Sequence, residues 1–196
     1  EDILPLDIKK EFNLPEDAFV IINVANNRRM KGIPYLMKAM NILPPGLPIH
    51  LLLIGGNMDT KANLALIKSG GYKDNVHFVG FRDDVLNIVA ASDVFASASI
   101  KGESITKSII EAMSLEVAPI ITDIPGNVEL CDHEDSGLVV KMKNPKELSD
   151  AILRLYKDRA LCEKLAKNAK ARIDSFLNTD RSIKEMKEFY DELIAE

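Results

Sequence analysis

Residues 18–25 read AFVIINVA, residues 26–32 read NNRRMKG, and an amphipathic stretch follows at Ile33–Leu43. The first segment is an almost continuous apolar run, the pattern of a strand buried on both faces of a parallel sheet. Strand, short polar loop and helix in that order make one unit of an α/β fold. The same unit recurs. Apolar runs at Ile49–Gly56, Val76–Gly80, Asp93–Ser99, Ala118–Asp123 and Gly137–Lys141 alternate with helical patterns at Met58–Ser69, Asp84–Ser92, Thr106–Glu116 and Asn127–Cys131. Further helices are expected at Pro145–Lys157, Ala160–Phe176 and Asp180–Ala195. In the first of these, Leu148, Ala151, Ile152 and Leu155 keep helical spacing. Six strands in such alternation predict a Rossmann-like, doubly wound parallel sheet.

The composition narrows what such a fold does here. With 196 residues, 46% of them hydrophobic and 28% charged, the chain builds a core without staples. Two cysteines, Cys131 and Cys162, without Cys-x-x-Cys spacing fit a reducing cytoplasm. No apolar run reaches the roughly 18 residues of a membrane span, and the opening EDILPLDIKK has no signal-peptide core. A formal charge of -5 argues against a nucleic-acid partner. His50, His77 and His133 lack ligand spacing; the first two read as structural strand residues and the third as part of a solvated turn, so no metal is expected.

Ligands of open α/β sheets sit beyond the carboxyl ends of the strands, which directs attention to the loops there. After the first strand, Arg28, Arg29 and Lys31 stand beside a helix start and concentrate positive charge into an anion site; a solvated basic turn is the plainer alternative. Gly32 allows close backbone packing. Gly55-Gly56 after the second strand makes no dinucleotide fingerprint, and no phosphate-loop Gly-Lys-Ser/Thr occurs, which lowers a nicotinamide enzyme and a P-loop NTPase. In Gly80-Phe81-Arg82-Asp83-Asp84, an aspartate reads as a helix N-cap, and Phe81 or Arg82 could offer a face to a nucleobase.

After the fourth strand, residues 101–113 read KGESITKSIIEAM. Glu103 and Glu111 are eight residues apart, about 12 Å if the span were helical. That matches a diphosphate with a sugar at either end. Each carboxylate could then grip the paired hydroxyls of one ring, with the helix start favouring the phosphates. Ser108-x-x-Glu111 also resembles a capping box, and a solvated Glu103 stays open as the alternative. After the fifth strand, Pro125-Gly126 turns into a short helix.

Taken in order from Ala18 to Tyr156, these segments resemble the C-terminal, donor-binding domain of retaining GT-B glycosyltransferases of the glycosyl transferases group 1 family. The signature is a Glu, seven residues, then Glu-Ala-Met, here GESITKSIIEAM; NVHFVGFRDDV, ASDVF, MKG, TDIPGNVEL and SGLVV accompany it. The resemblance implies that Lys31 contacts the donor diphosphate. The family's Arg five residues before that Lys is Asn26 here, and Arg28 stands two residues on. It implies further that Glu103 binds the transferred sugar, that the Ser104 and Ile105 amides face sugar and phosphate, that Glu111 holds the ribose, and that the base lies near Gly80, Phe81 and Arg82.

The implied reaction transfers a hexose, mannose among the candidates, from a UDP- or GDP-sugar to a glycan or lipid-linked acceptor such as lipopolysaccharide core, with no metal or other cofactor. The implied layout is an inter-domain segment over 1–17, the donor-binding domain over 18–178, and a helix over 179–196 reaching toward an N-terminal acceptor domain. That domain, expected to be absent here, would be the chain's partner, and alone the chain would bind donor without transferring sugar. The expected location is cytoplasmic, with peripheral association to the inner membrane face through the acceptor. The alternatives are a nucleotide-sugar 2-epimerase half-domain and a non-enzymatic flavodoxin-like module; the latter wants acidic residues where Asn26–Arg29 stands.

Overall fold

The structure, a computed structural model, describes residues 3–68, 70–101, 106–176 and 186–187. Six strands, β1 (Phe19–Val24), β2 (Ile49–Ile54), β3 (Val76–Gly80), β4 (Val94–Ser97), β5 (Ala118–Thr122) and β6 (Leu138–Val140), form one sheet in the order β3-β2-β1-β4-β5-β6. Every pairing is parallel. This is the doubly wound order that the alternating runs predict, with its reversal between β1 and β4. The unbroken apolar run of β1 has a direct cause. Phe19 and Ile21 enter one core and Val20 and Ile22 the other, so both parities of the strand are buried.

Besides Met186–Lys187, eight α-helices occur among the described residues: α1 (Ile8–Glu11), α2 (Ile33–Ile42), α3 (Lys61–Lys68), α4 (Val85–Ala90), α5 (Lys107–Ser114), α6 (Pro125–Leu130), α7 (Pro145–Lys157) and α8 (Arg159–Phe176). α2, α3 and α7 cover the first core through Leu36, Ile67 and Ile152. α1, α4 and α5 cover the second through Ile8, Ile88 and Ile109. α8 gives Cys162 and Leu165 to the first and Ala169 and Ile173 to the second, so it passes around the amino-terminal edge of the sheet. There the Arg159 guanidinium lies 4.5 Å from the Phe19 ring and donates to Asp93 at 2.8 Å. The other Asp93 oxygen accepts from the Val20 amide at 2.6 Å. Cys131 and Cys162 are free and buried, and burial pushes their thiols up to about 11 and about 12.

Differences from the sequence expectation have local causes. α3 begins at Lys61 rather than Met58 because Thr60 Oγ1 accepts from the Asn63 amide at 3.2 Å, an N-cap that fixes the start. α1 was not expected; Asp7 accepts from the Lys10 amide at 3.1 Å and closes that single turn. The segment before β1 is tied to α4, with Leu6 N donating to Asn87 O at 3.0 Å and Asn87 Nδ2 to Leu4 O at 2.7 Å. Of the helix expected over Asp180–Ala195, only Met186 and Lys187 are described, and both are helical. His50 Nδ1 lies 3.1 Å from His77 Nε2 with the rings stacked, and His133 Nδ1 accepts from Val139 N at 3.0 Å, so all three histidines have structural partners. Among the described residues, no helix is long and apolar enough to cross a membrane.

Candidate functional site

β1 and β4 pair only through Ile21–Val94 and Ile22–Phe95. Beyond Ile22 they separate, and a crevice opens at the reversal of the sheet. The next residue of β1, Asn23, is buried and bridges the gap: its Nδ2 donates to Ala96 O at 2.7 Å. Past the strand ends the two loops meet again. The Ile100 amide donates to Met30 O at 2.8 Å. Gly32 adopts a φ of 66°, and a Cβ there would overlap the Ala98 carbonyl oxygen. The close backbone packing expected of Gly32 is therefore real, and only glycine meets both demands without strain.

On the β1 side, residues Arg29–Lys31 form a tight 3-10 turn, with Lys31 N donating to Arg28 O at 2.9 Å. α2 follows at once, with Pro34 in its first turn. Asn26, Arg28 and Arg29 are exposed and Lys31 is half-buried, all at the carboxyl edge of the sheet. Three cationic side chains, Arg28, Arg29 and Lys31, and the start of a helix thus share one lip of the crevice.

On the β4 side, Thr122 Oγ1 donates to Ser99 O at 2.7 Å, and Asn127 Nδ2 donates to Thr122 O at 3.2 Å. The opening of the β4–α5 loop is thereby held by Met30 on one flank and Thr122 on the other. Glu103, Ser104 and Ile105 lie outside the described residues. Glu111 stands on α5, whose inner face buries Ile109, Ala112 and Met113. Its side chain is 28% exposed and pairs with Lys107 at 3.3 Å. Thr106 occupies the N-cap of α5 and Ser108 lies one residue inside the helix, so Ser108 and Glu111 do not form a capping box.

A third region adjoins the crevice. A groove of about 250 Å³ at the ends of β1, β2 and β3 is lined by Val24, Asn26, Gly55, Phe81, Arg82 and Val85, among others. Its walls are mostly apolar, and Phe81 stands 78% exposed at the rim. Arg82 is anchored rather than free: Nε and Nη2 donate to Asp84 at 2.7 Å each, and Nη1 donates to Glu11 at 2.9 Å. The bidentate guanidinium holds the Asp84 carboxyl below the usual carboxylate range. Asp84 does occupy the N-cap position of α4, but its side chain makes no cap bond, because Arg82 takes both oxygens. Gly80, at a φ of 80°, ends β3 and accepts from the Gly55 amide at 2.8 Å.

The sequence reading did not single out Asn23, Thr122 or Asn127. Each is a buried polar residue inside, or just after, an apolar run, and that interruption is the available signal.

Ligands of open α/β sheets bind in a crevice of this kind, at the reversal of the strand order, and a basic loop beside a helix start suits an anionic one. The sequence profile of the family described as glycosyl transferases group 1 matches residues 6–172, and the chain belongs to that family. The chain is 25% identical over 189 residues to N-acetyl-alpha-D-glucosaminyl L-malate synthase of Bacillus anthracis, covering 96% of this chain and 49% of the relative. It is 30% identical over 162 residues to the N,N'-diacetylbacillosaminyl-diphospho-undecaprenol alpha-1,3-N-acetylgalactosaminyltransferase of Campylobacter jejuni, covering 82% and 41%. Among solved structures, Anabaena Alr3699/HepE in complex with UDP-glucose superposes with a TM-score of 0.81 at 22% identity, over 94% of this chain and 51% of that one. The fold is that of GT-B glycosyltransferases. The chain spans about half the length of the curated relatives it matches.

Proposed function

We propose that this domain binds the nucleotide diphosphate sugar donor of a retaining glycosyltransferase that transfers a hexose, with UDP- or GDP-sugars as the donor class. The observation that carries the reading is the joining of the basic Arg28–Lys31 loop to the β4–α5 loop through Ile100 N and Met30 O. This contact puts the cations on one lip of the crevice and the segment leading to Glu103 and α5 on the other. A diphosphate lying there meets Arg28, Lys31 and the start of α2. Glu111 holds the ribose hydroxyls from the exposed flank of α5. The base enters the apolar groove beside Phe81 and Arg82, whose guanidinium plane is fixed by Asp84 and Glu11. Glu103 and the amides of Ser104 and Ile105 complete the sugar end.

In the reaction the bond between the anomeric carbon and the diphosphate oxygen breaks, and a bond to an acceptor oxygen forms on the same face. The nucleoside diphosphate leaves with the bonding electrons and takes up the proton that the acceptor hydroxyl loses. Lys31 and Arg28 stabilise the charge that grows on it, so their effect is larger in the transition state than in the ground state. This electrostatic role makes a divalent cation unnecessary in the proposed scheme. The bound UDP-glucose of the Anabaena neighbour supports a nucleotide sugar as ligand. The diphospho-undecaprenol-linked acceptor in the name of the Campylobacter relative supports a lipid-linked acceptor, bound by a second domain.

Calorimetric titration of the 196-residue chain with UDP, GDP and their sugars, repeated with Glu111→Gln, tests the reading. Saturable binding of at least one nucleotide, weakened by the substitution, is expected. Absence of binding to all of them would sink the proposal.

A further inference from the structure

Charge is unevenly divided along this acidic chain. Between Ala18 and Lys73 there are seven Lys and Arg residues and a single acidic one, Asp59. Three of the seven, Arg28, Arg29 and Lys31, belong to the crevice. The other four, Lys38, Lys61, Lys68 and Lys73, are all exposed on α2, α3 and the turn after α3. α2 and α3 pack side by side on one face of the sheet and contain no Asp or Glu.

That face also has a shape. A groove of about 420 Å³ is lined by Lys61, Leu64, Ala65, Ile67, Lys68 and Lys73. Lys61, Leu64 and Lys68 stand at i, i+3 and i+7 on α3, one stripe along the helix. Leu64, between the two lysines, is 40% exposed. Ile67 closes the inner wall against the core. No ion pair holds Lys61 or Lys68 among the described residues, and Lys73 makes a long, exposed pair with Asp74 at 3.9 Å. Long cationic side chains around an apolar floor match a ligand with an anionic head and an apolar body.

We propose that this lysine-rimmed groove docks the chain onto an anionic phospholipid bilayer, with Lys61, Lys68 and Lys73 among the headgroups and Leu64 at the acyl boundary. The contact belongs to the donor domain itself and is independent of the crevice and of any acceptor. Each lysine near an anionic surface raises partitioning about fivefold, and three together raise it about 100-fold. Leu64 adds an apolar component that salt does not screen.

The test is co-sedimentation of the 196-residue chain, without nucleotide, on phosphatidylcholine vesicles and on vesicles containing about 40% phosphatidylglycerol at about 0.1 M salt. Binding to the second kind alone is expected. Lys61→Gln/Lys68→Gln/Lys73→Gln lowers it about 100-fold, and Leu64→Ser lowers it about threefold or more. Lys157→Gln/Lys164→Gln/Lys167→Gln, a matched charge change at exposed positions on α7 and α8, leaves it within about twofold. Equal binding to neutral vesicles, no binding to either, equal loss in the two lysine triples, or indifference to Leu64→Ser would each overturn the proposal. Retention by duplex DNA that depends on the same lysines but not on Leu64 would replace it with a simple polyanion site. None of these outcomes depends on donor binding, so each proposal stands or falls alone.

Discussion

The amide nitrogen of Ile100 donates to the carbonyl oxygen of Met30 across 2.8 Å, joining the loop after β4 to the loop after β1. Those strands stop pairing at Ile22 and Phe95, so this bond and the Asn23–Ala96 bridge close what the sheet leaves open. The crevice is therefore a gap with fixed walls. Its rigidity and charge are open to measurement.

Gly32→Ala should be costly out of proportion to its one carbon. The added Cβ meets the Ala98 carbonyl oxygen, and the φ of 66° strains any other residue. A loss of roughly 3 kcal/mol is expected, seen as a melting temperature lower by about 10 °C. A Gly32→Ala variant that melts with the parent would show that the two loops are not pressed together there.

Thr122→Val keeps the volume and removes the donor to Ser99 O. Ser99 is buried, so its carbonyl would be left without that hydrogen bond at a cost of about 1–3 kcal/mol. Chemical denaturation should report that loss, and Thr122→Ser should recover most of it. Donor affinity should fall alongside, because the β4–α5 loop loses one of its two anchors.

Arg28→Ala and Lys31→Ala test the anion lip. Each should weaken binding of the nucleotide that the chain takes, UDP or GDP, by about 10- to 100-fold, the range for a charge-assisted hydrogen bond. Each should also flatten the dependence of affinity on salt. Calorimetry at two ionic strengths checks both. In an enzyme joined to its acceptor domain, Lys31→Ala should depress turnover more than donor affinity; unchanged turnover would remove Lys31 from the reaction.

The histidine pair gives a prediction in pH. Burial lowers the pKa of His77, and burial with the adjacent His77 charge lowers that of His50 against a smaller opposing pull from Asp17. The unfolded chain then binds more protons below about pH 6.5, so stability is complete above that value and is lost as pH falls through the lowered folded values. The depressed carboxylates Asp84, Asp123 and Glu134 act the same way only below about pH 4.3, so the windows are separate. The urea midpoint should drop between about pH 7 and pH 5.5, with a smaller drop in His77→Gln. An equal drop in both would discount the pair.

The sheet was legible because its four inner strands are buried on both faces, and Val20 and Ile21 reveal that in sequence as adjacent apolar residues. The edges of elements were less so. Thr60 shortens α3 with a side-chain cap that Met58 and Asn57 obscure. The basic loop was legible from Arg28, Arg29 and Lys31, since clustered charge after a strand has few other uses. Arg82 was not. Its partners are Asp84, two residues away, and Glu11, seventy-one residues away, and Glu11 follows the segment that Leu4 and Leu6 tie to Asn87 of α4. Thr122 and Asn127 were hidden for a related reason: their partners are backbone oxygens, which no side-chain pattern announces.

The contact between Gly32 and Ala98 is built from main-chain atoms on both sides. Such a joint places a demand on one position, Gly32, and leaves every neighbouring side chain free to vary. A crevice framed this way can change its ligand by rewriting the residues around it, while the distance between its lips stays the same. On the proposed function, retargeting this domain to a different donor is then a matter of altering the groove beside Phe81 and the flank of α5, with the frame itself left untouched.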